Sequence, residues 1–185
     1  MGKIEELAAR YEQHIRVPWQ RTLSGSQRVL LVVYEKELER AFRARKAEFE
    51  QRTRGAGHGW TEFDCTRRFA EWIAQDEYRE AYFESPGDLA MKLDGEFLEH
   101  LAAPLHQLLR DSDERSIVAV TGIGSLFGFA RASDLVRAVE ADIRGRLVVF
   151  FPGTKDGDNY RLLDARDGWN YLAPSISLHG TGETA

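Results

Sequence analysis

The sequence predicts an α/β fold: one three-layer domain with a mainly parallel sheet, helices on both faces and an antiparallel hairpin at its C-terminal edge. Three observations lead there. Apolar blocks too short for helices, such as Val29–Tyr34 (Val-Leu-Leu-Val-Val-Tyr), do not alternate and suit strands buried on both faces. Helical patterns separate these blocks, as parallel connections require. Residues 117–172 then read as strand, glycine loop, helix, strand, glycine turn and strand.

The elements follow in order. Ile4, Leu7, Ala8 and Tyr11 recur at helical spacing over 3–14, and Val17-Pro18-Trp19 ends that helix. A strand over 28–34 is followed by a charged helix over 35–53 with Leu38, Ala41, Phe42 and Phe49 along one side. A strand over 60–65 precedes a helix over 66–82. Ser85-Pro86-Gly87-Asp88 opens a long seam of Leu89, Leu93, Phe97, Leu101, Leu105 and Leu108, which Pro104 is expected to kink or split. After strand 117–121 and loop 122–128, a helix capped by Ser133 buries Leu135, Val136, Val139 and Ile143, with Gly145 as its left-handed stop. Strands 147–151 and 160–163 and a short one near 170–172 complete the domain, 1–177. Residues 178–185 carry no periodicity and are expected to form a flexible tail.

Composition narrows the function classes. The chain has 185 residues, 43% hydrophobic and 30% charged, as in an ordinary soluble domain. A net charge of −5 counts against a constitutive nucleic-acid binder. Cys65 is the single cysteine, so an internal disulfide and a thiolate-rich metal site are excluded. The N-terminus lacks the plan of a signal peptide and no apolar run spans a bilayer, which points to the cytoplasm.

Several motifs invite chemistry and fall short of it. Gly122-Ile-Gly124-Ser-Leu-Phe-Gly128 follows a strand and precedes a helix, as a phosphate loop would. Its spacing departs from the dinucleotide fingerprint, and the next strand ends without an acid for a ribose. A tight turn explains the glycines better, so a nucleotide-binding enzyme or sensor remains the alternative reading. Glu35 after Tyr34 lacks any lysine-bearing phosphate loop to serve, and Ser125 lacks nucleophile-elbow spacing. The five histidines are scattered, and Asp156-Gly157-Asp158-Asn159 lacks the distal glutamate of a calcium loop. A DNA-binding accessory role through Lys36, Arg40, Arg43, Arg45, Lys46, Arg52 and Arg54 is the second alternative, weakened by interspersed glutamates. Direct DNA binding is therefore not expected. No catalytic residue, cofactor or metal is predicted.

Aromatic and arginine side chains crowd the C-terminal third. Phe127, Phe129, Arg131, Tyr160, Arg161, Arg166, Trp169 and Tyr171 form a candidate partner-binding set, because such residues anchor protein interfaces. Gly122, Gly124, Gly128, Pro152 and Gly153 are candidate structural loop positions. Asp164 and Asp167 are read as turn residues.

Thr121-Gly-Ile-Gly-Ser-Leu-Phe127, Phe129-Ala-Arg131, Phe150-Phe-Pro-Gly153 and Tyr160-Arg-Leu162 together resemble the BrxB family of bacteriophage-exclusion (BREX) defence systems. The resemblance implies a small cytoplasmic component encoded beside a methyltransferase, a large ATPase and the alkaline-phosphatase-like protein PglZ. It implies no catalytic residues. Its implication is a non-catalytic adaptor binding a PglZ-like protein or other BREX components, with no membrane partner.

Overall fold

The computed structural model describes residues 2–164, 169–170 and 173–182, with 169–170 and 180–182 described by their backbone. Eight strands build the sheet: β1 Val29–Tyr34, β2 Gly59–Asp64, β3 Ser116–Thr121, β4 Arg146–Asp156, β5 Asn159–Leu162, β6 Trp169–Asn170, β7 Ser175–Ser177 and β8 Gly180–Gly182. The spatial order is β2-β3-β4-β1-β7-β8. β2, β3, β4, β1 and β7 run parallel, and β8 closes one edge antiparallel to β7. The far end of β4 turns back at Gly157 into β5, which pairs with it and then with β6. The predicted α/β class, parallel core and antiparallel C-terminal pairing are all present.

Every residue of β1 is buried, and its odd and even positions serve different cores. Leu30, Val32 and Tyr34 face α1 (Lys3–Arg16) and α2 (Glu39–Gly55). Phe150 of β4 lies at the centre of that layer, with ring contacts to Tyr11, Phe42, Phe49 and Trp60. Val29, Leu31 and Val33 face the other layer, built from α3 (Arg68–Ala74), α6 (Leu98–Asp111) and α7 (Ala132–Val139). Between α3 and α6 lie two short helices, α4 (Arg79–Glu84) and α5 (Ala90–Lys92). Among the described residues no helix is long and apolar enough to cross a membrane.

Local chemistry moves several boundaries. The helix expected over 66–82 breaks into α3 and α4, because the Asp76 carboxylate accepts from the Tyr78 amide (2.8 Å) and from Lys92 Nζ (2.9 Å). Ser85 and Pro86 do start a turn, but it is a 3-10 turn over Pro86–Leu89 without a side-chain cap. The seam is interrupted by a π-turn at Leu93–Phe97, whereas α6 stays continuous across Pro104. Burial of Leu101, Ala102, Leu105 and Leu109 holds the helix together on both sides of the proline.

Three further expectations are corrected. Ser133 does not cap α7; Arg131 occupies that position and Ser133 is buried in the first turn. Gly145 is not left-handed, and its glycine is required because a Cβ would lie 2.0 Å from the Ser116 carbonyl oxygen. Residues 180–182, expected within a frayed tail, pair as β8 through Ser175↔Gly182 and Ser177↔Gly180. The short strand expected near 170–172 lies at Trp169–Asn170, and residues 171–172 lie outside the described ones.

One buried polar pair ties α1 to α2. Tyr11 Oη lies 2.6 Å from Thr53 Oγ1, and the Thr53 hydroxyl donates to the Phe49 carbonyl at 2.8 Å, so Tyr11 is the donor of the first bond. Burial pushes the Tyr11 phenol up, beyond any working pH. Tyr11→Phe leaves Thr53 bonded to the helix and should cost about 1 kcal/mol. Thr53→Val strands a buried hydroxyl and should cost more, about 1–3 kcal/mol. Urea denaturation of both variants checks the order; equal losses, or the reverse order, would contradict it.

Candidate functional site at the carboxyl edge of the sheet

The parallel strands end together at one edge, and their last residues are polar. Tyr34 Oη donates to Glu39 Oε2 at 2.5 Å, and Arg43 Nε donates to Glu39 Oε1 at 2.7 Å. One strand pair away, Thr121 Oγ1 (2.7 Å) and Lys46 Nζ (2.5 Å) both donate to Glu62 Oε1. Asp64 Oδ1 accepts from the Thr66 amide at 2.9 Å and its hydroxyl at 2.6 Å. Partial burial tends to raise the Asp64 carboxyl, but the Thr66 bonds and the nearby Lys46 and Arg43 outweigh it and hold the group below its usual range. Cys65 beside it is buried, and burial, reinforced by Asp64, pushes its thiol up to about 12.

A shallow crevice of about 460 Å³ lies here, lined by Lys36, Glu39 and Arg43 after β1, Gly124 and Ser125 after β3, and Pro152 and Leu163 around the β4–β5 turn. The connection after β1 leads to the α2 face and that after β3 to the α7 face, so this is where the sheet's connections diverge. Its cations are already matched: Lys36 pairs with Asp164, and Arg43 with Glu39. Among the described residues no group of three His, Cys, Asp or Glu is placed to hold a metal ion.

The glycine loop has a structural rationale at each end. Gly122 adopts φ +70, and a Cβ there would lie 2.4 Å from Thr66 Oγ1 and 2.6 Å from Asp64 Oδ1. Gly128 adopts φ +82 in open space. Gly124 is looser, with Pro152 Cγ at an ordinary 3.5 Å from its would-be Cβ. Gly153 is tight, since a Cβ would meet the Arg161 carbonyl oxygen at 1.9 Å. After Gly122 the chain makes a single 3-10 turn, Ile123–Leu126, and α7 begins only at Ala132. The loop glycines therefore do not cap a long helix in the manner of a pyrophosphate site.

The candidate partner-binding residues separate on the structure. Phe127 is 48% exposed, and Arg131 and Arg161 are exposed, the latter paired with Asp156 at 3.7 Å. Phe129 is half-buried and stacks on Phe69 of α3, with ring centroids 3.6 Å apart. Tyr160 is a correction: it is buried, packs edge-on against Phe151 at 6.0 Å and donates to the Ala173 carbonyl at 3.1 Å. Its position on β5 opposite Lys155 turns the ring into the core, so it cannot anchor a partner. Arg166 and Tyr171 lie outside the described residues, as does the Trp169 side chain; Trp169's backbone pairs with Tyr160. Sequence reasoning missed Tyr78, Phe83 and Met91, exposed at 59%, 64% and 91% on the α4–α5 segment. Their signal was the break at Asp76, which deprives that stretch of a continuous helix to bury them.

The cations considered for DNA binding are also accounted for. Arg45 pairs with Glu5, Arg52 with Glu12 and Glu48, and Arg54 with Glu50, as Lys36, Arg43 and Lys46 pair with their own acids. Of these cations only Arg40 has no ion pair among the described residues. The α2 surface is a solvated, internally neutralised face.

Gly122→Ala should cost at least about 2 kcal/mol, combining a left-handed backbone with a blocked Cβ, whereas Gly124→Ala should cost less than about 1 kcal/mol. Chemical denaturation separates the two, and equal costs would contradict the loop's account. Because the folded Asp64 carboxyl is depressed, its contribution is present above the unfolded value of 3.8 and is lost as pH falls through the folded one. Asp64→Asn should therefore flatten the acid limb of the stability–pH curve below about pH 4; an unchanged limb would show that Asp64 does not supply it.

Comparison with protein-family models gave a match to BrxB, described as BREX protein BrxB, over residues 64–174. No curated protein and no solved structure matches the chain. The matched range begins at the last residue of β2 and takes in the glycine loop, α6, α7 and the β4–β5 turn, which is more than half of the chain. The chain belongs to the BrxB family and is thus a component of BREX phage-defence systems.

Proposed function

We propose that the protein is a non-catalytic adaptor that binds a PglZ-like protein, or another BREX component, through the surface around the glycine loop. The observation that carries this reading is Phe127. It is a large apolar ring 48% exposed within the family-matched range, followed by a left-handed Gly128 and, a few residues on, by the exposed Arg131. An exposed aromatic beside an arginine is the usual composition of an interface anchor. Leu163 lies 3.9 Å from the would-be Cβ of Gly124, so the end of β5 adjoins the loop and continues its surface. The carboxyl-edge polar groups are bonded to one another, which suits a scaffold better than a site awaiting a substrate. Phe69, stacked on Phe129, ties the loop to α3 and fixes its backbone before a partner arrives.

The test is copurification and titration against the PglZ-like protein and the other components of the same locus. Phe127→Ala and Arg131→Glu should each weaken the complex about tenfold or more, roughly 1.4 kcal/mol, without changing the thermal melt. Wild-type affinity in both variants would remove this surface from the adaptor reading. A complex with components other than the PglZ-like protein would reassign the partner.

A further inference from the structure

The opposite edge of the sheet, where the parallel strands begin, gathers arginines, most of which form no ion pair among the described residues. Arg28 immediately precedes β1, His58 precedes β2, Arg115 precedes β3, and Arg146 opens β4 with Arg144 just before it. The parallel register sets these positions side by side: Gly59 pairs with Ser116, Ile117 with Arg146, and Val29 with Leu147. With strands about 4.8 Å apart, the arginines from β3 to β1 span roughly 10 Å. Arg16, Trp19 and Arg21 fold over it to line a cavity of about 400 Å³, where Glu114 is the one carboxylate among the described lining residues.

Arg16 pairs with Glu12 at 2.7 Å, but among the described residues Arg21, Arg28, Arg115, Arg144 and Arg146 form no ion pair with a carboxylate. Neutral carbonyls hold some of them in place. Arg28 donates to the backbone oxygens of Ile143 (2.7 Å), Arg144 (2.9 Å), Leu23 (3.1 Å) and Arg21 (3.1 Å). The Arg146 guanidinium lies 4.7 Å from the Trp19 ring centroid, and that indole stacks flat on His58 at 3.9 Å. Burial, with Arg28 adding repulsion, pushes Arg146 below the usual arginine value. The fold thus places several guanidinium groups together and partly desolvates Arg146, while Arg21, Arg28, Arg115, Arg144 and Arg146 form no ion pair among the described residues. It does so in a chain of net charge −5 whose α2 cations are nearly all paired.

We propose that this amino edge binds the phosphate backbone of a single nucleic-acid strand. Guanidinium forks match phosphate oxygens in pairs, and a row of roughly 10 Å suits two or three phosphates in succession better than one. The site beneath segment 17–28 is concave, which favours a flexible single strand over a rigid duplex. Trp19 is already occupied by His58 and Arg146, so it braces the cations and reads no base. Binding is therefore indifferent to sequence. The site lies at the other end of the strands from Phe127 and stands independently of the adaptor reading.

Fluorescence anisotropy with a labelled strand of about 12 nucleotides tests it. Affinity should fall steeply between about 50 and 200 mM salt, with a logarithmic slope near −2 for three phosphates. The double variant Arg115→Glu/Arg144→Glu changes two exposed side chains and should bind at least about tenfold more weakly with a shallower slope, while its melt is unchanged. Arg40→Glu on α2 should bind as the unaltered chain does. No binding at low salt, salt-independent binding, tighter binding of the corresponding duplex, or an equal loss in Arg40→Glu would each overturn the proposal.

Discussion

The pairing of β1 with β4 is the constraint on which the rest of the structure depends. Six residues match in parallel, from Val29↔Leu147 to Tyr34↔Pro152, and both strands are buried on both faces. Phe150 points into the α1–α2 layer and Phe151 into the α6–α7 layer, so neighbouring residues anchor opposite cores. A slip of one residue would exchange those faces and expel both rings from their pockets. Pro152 ends the ladder where its missing amide costs nothing further, and Gly153 then lets the Arg161 carbonyl approach as β4 turns into the hairpin. The β4–β5 turn, and with it the surface beside the glycine loop, is placed by that register.

A parallel sheet also has two chemically different edges, and this protein treats them differently. At the carboxyl edge three cations have acids close by: Lys46 with Glu62, Arg43 with Glu39 one turn away on α2, and Lys36 with Asp164. At the amino edge the carboxylates are spent elsewhere. Asp113 accepts from the Arg115 amide and the Ser116 hydroxyl, so it closes a turn, and it feels the Arg115 charge without forming an ion pair with it.

Much of this fold is legible in the sequence, because buried parallel strands leave unbroken apolar blocks: 29–34, 117–121 and 147–151 stand out for that reason. β7 and β8 do not, since Ser175–Ser177 holds a single large apolar residue, Ile176, and Gly180–Gly182 holds none. Their pairing depends on β1 already being in place. The helix over 66–82 was misjudged because apolar spacing continues past Asp76, whose side chain stops the helix by bonding locally. Tyr160 was misassigned for a related reason: aromatic composition marks interfaces and cores alike, and only the β4–β5 register decides which side the ring takes. The arginine row is invisible in one dimension, for residues 28, 115 and 146 become neighbours only through strand order.

The glycine loop shows how far a sequence motif and its electrostatics can part. In open α/β sheets an anionic ligand ordinarily sits beyond the carboxyl ends of the strands, where loop amides point outward. Here the space beside Gly122 is taken by Asp64 and Thr66, and the Asp64 carboxyl is held in its charged form. A phosphate entering there would face a carboxylate at close range and would have to displace the two Thr66 bonds that hold it. At the amino edge the balance is reversed, since several guanidinium groups and, among the described residues, one carboxylate line the cavity. The glycines preserve a turn, while the charge that would attract an anion has been assembled at the other end of the same strands.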